Sequence, residues 1–181
     1  LKESKTLDNA LIRENFQRNF AIKRISEAED NDLILINDLD EIPELRNFSY
    51  KRKITIFKQK MLYFKFNLIY KNLLWTGSKI CKKKDFISPQ WLRNIKNRSY
   101  PFWRIDTFFS KKRYMNVGII KNGGWHFTSI KRPKDIFYKL SNFMHHLEFE
   151  ESGLTLKDME DMVDKKKILY DHTVCLLYTS D

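Results

Sequence analysis

The sequence predicts an α/β fold, a mixed and mostly parallel sheet flanked by helices, and three observations carry that prediction. The first is Leu33-Ile34-Leu35-Ile36, a run of aliphatics without alternation, which suits a strand covered on both faces. The second is helical signal on either side of β-rich sequence: an apolar stripe within residues 8–28, and helix starts at Pro89, Pro133 and Thr155. The third is the Ile-, Phe- and Tyr-rich stretch 53–70, whose imperfect alternation reads as one long strand or two short ones.

In chain order, Asp8 or Asn9 opens the first helix, with Ile12, Phe16 and Phe20 on a stripe that reads as core. The aliphatic strand follows the Asp30-Asn31-Asp32 turn, and residues 44–50 read as a short helix. Residues 75–80 read as a strand entering the basic loop Lys82-Lys83-Lys84, and 88–97 as a helix with Pro89 at its first position. Residues 117–120 are a short strand and Asn122-Gly123-Gly124 a turn. Pro133 starts a helix to 147, and Thr155 caps another to 166 with Asp158 in its first turn.

Composition bounds the function. A chain of 181 residues that is 42% hydrophobic and 14% aromatic fills a genuine core, so disorder is excluded as its general state. The excess of 34 basic over 23 acidic residues, net +11, points to anionic partners: nucleic acid, phosphorylated sugars or a lipid surface. Cys81 and Cys175 provide no framework of bridges and no zinc spacing, which fits a reducing compartment. No stretch approaches the roughly 20 apolar residues of a membrane span.

The aliphatic run ends in Asn37-Asp38-Leu39-Asp40-Glu41-Ile42-Pro43. Ligands of open α/β sheets bind beyond the carboxyl ends of the strands. Asp38 and Asp40, two apart, point the same way on extended backbone, and such oxygens suit magnesium or manganese carrying a diphosphate. The competing reading has Asp40 or Glu41 cap a short helix with Pro43 in its first turn.

Three further groups stand downstream. Gly123-Gly124-Trp125-His126-Phe127 joins two small residues to an aromatic and an imidazole. A late helix carries Lys139, His145, His146 and Glu148, with His145 and Glu148 on one face and Lys139 and His146 on another. Asn67, followed by Trp75 and Gly77, offers an amide and an aromatic wall to a sugar. Each has a plain structural reading as well: a hairpin histidine, surface ion pairs, and a core tryptophan. Residues 98–113 interleave cations with Tyr100, Phe102, Trp103, Phe108 and Phe109, which reads as core strands with solvated cationic faces or as a base-stacking surface.

In this order the blocks resemble glycosyltransferase family 17, over residues 13–171. The resemblance rests on Asp38-Leu39-Asp40-Glu41-Ile42-Pro43 and Gly123-Gly124-Trp125-His126-Phe127, supported by Asn67, Trp75, Gly77 and the Lys139 helix. It implies a GT-A-like nucleotide-sugar fold, a UDP-sugar donor, N-acetylglucosamine as the sugar, a manganese or magnesium ion on the acidic motif, and inverting transfer to a glycan or glycolipid hydroxyl. Asp38, Asp40 and His126 are the implied metal residues. Glu148, then Glu41, are the candidates for the base that takes the acceptor proton. Asn67, Trp75, Gly123, Gly124, Trp125, Arg93, Arg104, Lys139, His145 and His146 are the candidates for binding donor or acceptor, the arginines offsetting charge on the departing diphosphate.

The resemblance treats residues 1–174 as a single, partial transferase domain whose N-terminal part, holding the nucleotide base, is missing. Residues 175–181 resemble the product of one reading frame of a common sequencing adapter and are read as non-native. The expected setting is cytoplasmic or peripheral to a membrane, without nucleic acid. Two other classes stay open: a basic, aromatic nucleic-acid-binding module, and a degenerate transferase fold that binds glycan without turnover.

Overall fold

The computed structural model describes residues 2–46, 48–101, 103–107, 109–111, 113–114, 116–142, 146–170 and 173–179. The chain runs α1 (Lys2–Phe20), α2 (Ile22–Ile25), β1 (Leu33–Ile36), β2 (Glu41–Pro43), β3 (Ile54–Phe57), β4 (Gln59–Tyr63), β5 (Leu68–Trp75), β6 (Lys79–Lys82), α3 (Pro89–Asn94), β7 (Val117–Ile120), β8 (Gly124–Thr128), α4 (Pro133–Ser141), α5 (His146–Glu151), α6 (Leu156–Asp164), β9 (Lys167–Tyr170), β10 (Thr173–Leu176) and β11 (Tyr178–Thr179). It is mixed α/β with mixed sheets and flanking helices. Among the described residues, no helix is long and apolar enough to cross a membrane.

Two compact units form, and the division falls within β4, β5 and β8. One comprises Asn15–Lys60 and Leu74–His126, the other Leu1–Glu14, Met61–Leu73 and Phe127–Asp181. The first holds a four-stranded sheet in the order β1-β6-β3-β7. β6 runs antiparallel to both β1 and β3, whereas β3 and β7 pair in parallel. β1, β3 and β7 therefore point the same way, but antiparallel junctions outnumber the parallel one, which corrects the expectation of a mostly parallel sheet. Only the β3–β7 pair has the long crossover that a parallel ladder requires.

Ile54, Ile56, Cys81, Val117, Trp91, Leu92 and Ile95 form the core between this sheet and α3. Ser88 starts α3 by accepting the Trp91 backbone N–H on its hydroxyl at 3.1 Å, with Pro89 at the position that needs no donor. β1 lies at the edge of the sheet. Only Ile34 of its aliphatic run is buried, and Leu33 is 43% exposed, so the lack of alternation does not mark a strand covered on both faces.

The second unit packs α4 on α5 and α6, with α6 against β9 and β9 paired to β10. Among the described residues, Ile136, Met159, Val163 and Ile168 are its buried apolar residues on these elements. Thr155 and Asp158 close a capping box on α6: the Thr155 hydroxyl accepts from the Asp158 N–H, and the Asp158 carboxylate accepts from the Thr155 N–H at 2.8 Å. The terminal segment is built in, as β11 pairs with Ile69 and Leu68 of β5 and Leu177 is buried.

Several local expectations differ. Residues 53–70 give three strands' worth of backbone, because Phe64 adopts φ of 64° and turns the chain between β4 and β5. The described residues of 44–50 form no helix, and Glu41–Pro43 is a strand paired with β8, not a helix start. The late helix breaks at Asn142 into α4 and α5. Ile12, Phe16 and Phe20 are 64%, 70% and 56% exposed, so their stripe on α1 is not core.

Candidate functional site

The sheet directions place sequence-distant residues at one edge of the first unit. β1 ends at Ile36 and releases Asn37 to Asp40, β7 ends before the Gly123 turn, and β6, running the other way, begins there with Lys79 after Gly77 and Ser78. This is the edge at which open α/β sheets bind ligands.

Glu41 organises that edge. Its side chain is fully buried, and its carboxylate takes hydrogen bonds from four groups. Trp75 Nε1 donates to Oε1 at 2.6 Å, Ser78 Oγ to Oε2 at 2.9 Å, Arg93 Nη1 to both oxygens at 2.8 and 2.9 Å, and the Asp38 N–H to Oε2 at 3.2 Å. A buried carboxylate is tolerated only when its charge and lone pairs are matched in this way. Its acceptor capacity is thereby spent, which suits an anchor and leaves no lone pair for a general base. Gly77 is needed for the closure, since a Cβ there would lie 1.8 Å from Glu41 Oε1 and 2.4 Å from Trp75 Nε1.

Arg93, on α3, extends the network to the first aspartate. Its Nη2 donates to Asp38 Oδ2 at 2.5 Å, while Arg18 Nη2 reaches Asp38 Oδ1 at 3.3 Å. Arg18 is held in turn by Gln90 Oε1 at 2.5 Å. Each oxygen of Asp38 thus faces a guanidinium.

Asp40 belongs to the other branch. Its Oδ1 lies 3.5 Å from His126 Nε2, and the His126 ring stacks on Trp75 with centroids 4.6 Å apart and planes 12° from parallel. The β2–β8 register sets this up by placing Glu41 opposite His126 and Ile42 opposite Trp125. Gly124 permits the pairing, with φ of +112° and room for no Cβ, which would meet Ile42 O at 2.1 Å. Gly123 abuts Phe57 and the Lys58 N–H. Both glycines are therefore packed on the protein's own backbone.

Among the described residues, no three His, Cys, Asp or Glu side chains converge as a complete metal cage. Asp40 with His126 makes a two-residue oxygen and nitrogen set, with Asp40 44% exposed. That fits an ion of the kind that takes one or two protein ligands and completes its shell with phosphate oxygens and water. It does not fit a structural metal held by protein alone.

Sequence reasoning missed Lys79 and Ser78. Lys79 is only 4% exposed, and its ammonium donates to the backbone oxygens of Arg93 and Ile95, the latter at 2.7 Å. It closes the C-terminal end of α3, where a cation is favoured, and so holds the helix that presents Arg93. Burial first, then the nearby Arg93 charge, pushes its pKa from the ordinary 10.5 down to about 8. The available signal was Lys79 set directly before the apolar pair Ile80-Cys81 in β6.

The remaining candidates lie elsewhere. Trp125 is on β8 and 37% exposed, and Arg104 pairs with Asp106 at 2.7 Å, not with the Glu41 network. Asn67 is exposed in the β4–β5 turn, Lys139 is half-buried on α4, and His146 half-buried at the start of α5, all in the second unit. His145 lies outside the described residues. So does the side chain of Glu148, whose backbone is in α5. Comparison of the chain with protein-family models, curated proteins and solved structures gives no match.

Proposed function

We propose that the Asp38–Glu41 edge is the donor site of a metal-dependent, inverting glycosyltransferase of family 17, built on a GT-A-like fold. The observation that carries this reading is the split fate of the acidic motif: Glu41 is buried as an anchor, while Asp40 stays half-exposed beside His126.

Asp40 and His126 are the residues to hold a manganese or magnesium ion, which when bound offsets the charge that develops on a departing nucleoside diphosphate. Arg93 and Arg18 hold Asp38 in place, and Arg93 adds fixed positive charge within a largely desolvated network. Trp75 braces the His126 ring and fixes its plane, as the indole is itself pinned by Glu41. The donor in this reading is a UDP-sugar, with N-acetylglucosamine as the sugar, and the acceptor a glycan or glycolipid hydroxyl. Inverting transfer also requires a carboxylate to take the acceptor proton, a role for which Glu41, spent on its donors, is not available. Titration calorimetry of UDP with and without manganese tests the donor site: binding should require the ion and weaken in Asp40→Asn. Equal binding without manganese would overturn the reading.

A further inference from the structure

A second feature of the first unit is the basic, aromatic segment that follows α3. Residues 96–113 contain six cations, Lys96, Arg98, Arg104, Lys111, Lys112 and Arg113, against the single acid Asp106. The segment is pinned from within. Tyr100 and Thr107 are buried, the Thr107 hydroxyl donates to Arg104 O at 2.7 Å, and Trp91 Nε1 donates to Lys111 O at 2.8 Å. Asp106 is neutralised locally, accepting from Arg104 at 2.7 and 2.8 Å and from Arg113 at 2.8 Å. With its inner residues fixed, the same segment turns three large apolar side chains to solvent: Trp103 at 68%, Ile105 at 69% and Phe109 at 87% exposure.

Exposed apolar side chains scattered singly are ordinary, whereas here three fall within seven positions of one cation-rich segment. The expectation that residues 98–113 are core strand is not met among the described residues, which form loop and one short 3₁₀ turn, Ile105–Thr107. We propose that the Trp103–Ile105–Phe109 surface inserts into the interface of an anionic lipid bilayer, with Arg98, Lys111 and neighbouring cations meeting the headgroups. Tryptophan and phenylalanine are favoured at the headgroup boundary, and each basic residue near an anionic leaflet adds attraction. A single-stranded nucleic acid would use the aromatics by stacking, but Ile105 has no ring to stack, and its exposure is matched by acyl chains instead. The chain's net charge of +11 has the sign that an anionic surface attracts.

Co-sedimentation of the full chain with vesicles of phosphatidylcholine, with and without phosphatidylserine, tests the proposal. Binding should be at least about tenfold stronger to the phosphatidylserine vesicles, and fall by about tenfold or more in Trp103→Ser/Phe109→Ser. These side chains are exposed, so the thermal unfolding of the variant should match that of the parent. Lipids brominated on their acyl chains should quench part of the tryptophan emission, and Trp103→Phe should remove that part. Absence of vesicle binding, or binding undiminished in the double variant, would overturn the proposal. So would preferential retention of a single-stranded oligonucleotide that is lost in the same variant.

Discussion

The rings of Trp75 and His126 lie 4.6 Å apart and 12° from parallel, and the polar edge of each faces a different carboxylate of one short segment. Trp75 Nε1 donates to Glu41 and His126 Nε2 faces Asp40. Glu41 in turn binds Arg93, which also holds Asp38. Three acids that sit almost side by side in sequence are thereby given separate work.

Breaking the buried pair should be costly. Glu41→Ala leaves the Arg93 guanidinium, itself only 11% exposed, without its main partner, and removal of one member of such a pair costs about 3–5 kcal/mol. Urea unfolding should show that loss. A double-mutant cycle with Arg93→Ala should recover part of it, because the unpaired charge is then gone.

Gly77→Ala tests the packing of the same carboxylate. The added methyl would meet Glu41 Oε1 and the Trp75 indole at less than contact distance, and Trp75, Ser78 and Arg93 hold that carboxylate in place. A loss of about 1–3 kcal/mol is expected from such overpacking. An unchanged midpoint of urea unfolding would mean that the edge is looser than described.

Lys79 makes stability depend on pH. Its folded pKa of about 8 lies below the ordinary 10.5, so between these values the unfolded chain binds more protons and stability rises with pH. Burial pushes the Cys81 thiol from 9 up to about 12, which has the opposite effect above pH 9, where stability falls as the unfolded thiol ionises. The net rise therefore belongs to the window from pH 8 to 9, with a slope of at most about 1.4 kcal/mol per pH unit. Lys79→Met should abolish the rise in urea titrations over that window.

Metal binding should follow the Asp40 branch. Manganese with UDP, followed by electron paramagnetic resonance of the free ion, should bind more weakly to both His126→Ala and Asp40→Asn. Loss of one protein ligand from a two-residue set would leave one side chain, with phosphate and water, to hold the ion. Binding that is indifferent to both substitutions would move the ion elsewhere.

Legibility in the sequence followed the range of the interactions. Ser88-Pro89 and Thr155 with Asp158 announced helix starts because capping is chemistry among adjacent residues, and both caps form. Asp38 and Asp40 were legible as acids delivered to a strand end for the same local reason. The turn at Phe64 was not, because its positive φ falls on a residue that ordinarily avoids it. The stripe Ile12, Phe16 and Phe20 has the spacing of a buried face, yet spacing alone does not supply a partner, and the stripe is exposed. Glu41 could not be told from a catalytic acid, since its role comes from Trp75, Ser78 and Arg93, all distant in sequence. Lys79 acts through the carbonyls of Arg93 and Ile95, which only the packing of β6 beside α3 reveals.

Hydrolysis of a panel of nucleotide sugars by the purified chain tests the proposed manganese-assisted donor site. Slow, manganese-dependent release of nucleoside diphosphate from one donor, a UDP-sugar, is expected, lost in Asp40→Asn while the variant's urea unfolding is unchanged. Folded protein that neither hydrolyses nor binds any donor in the presence of manganese would contradict it.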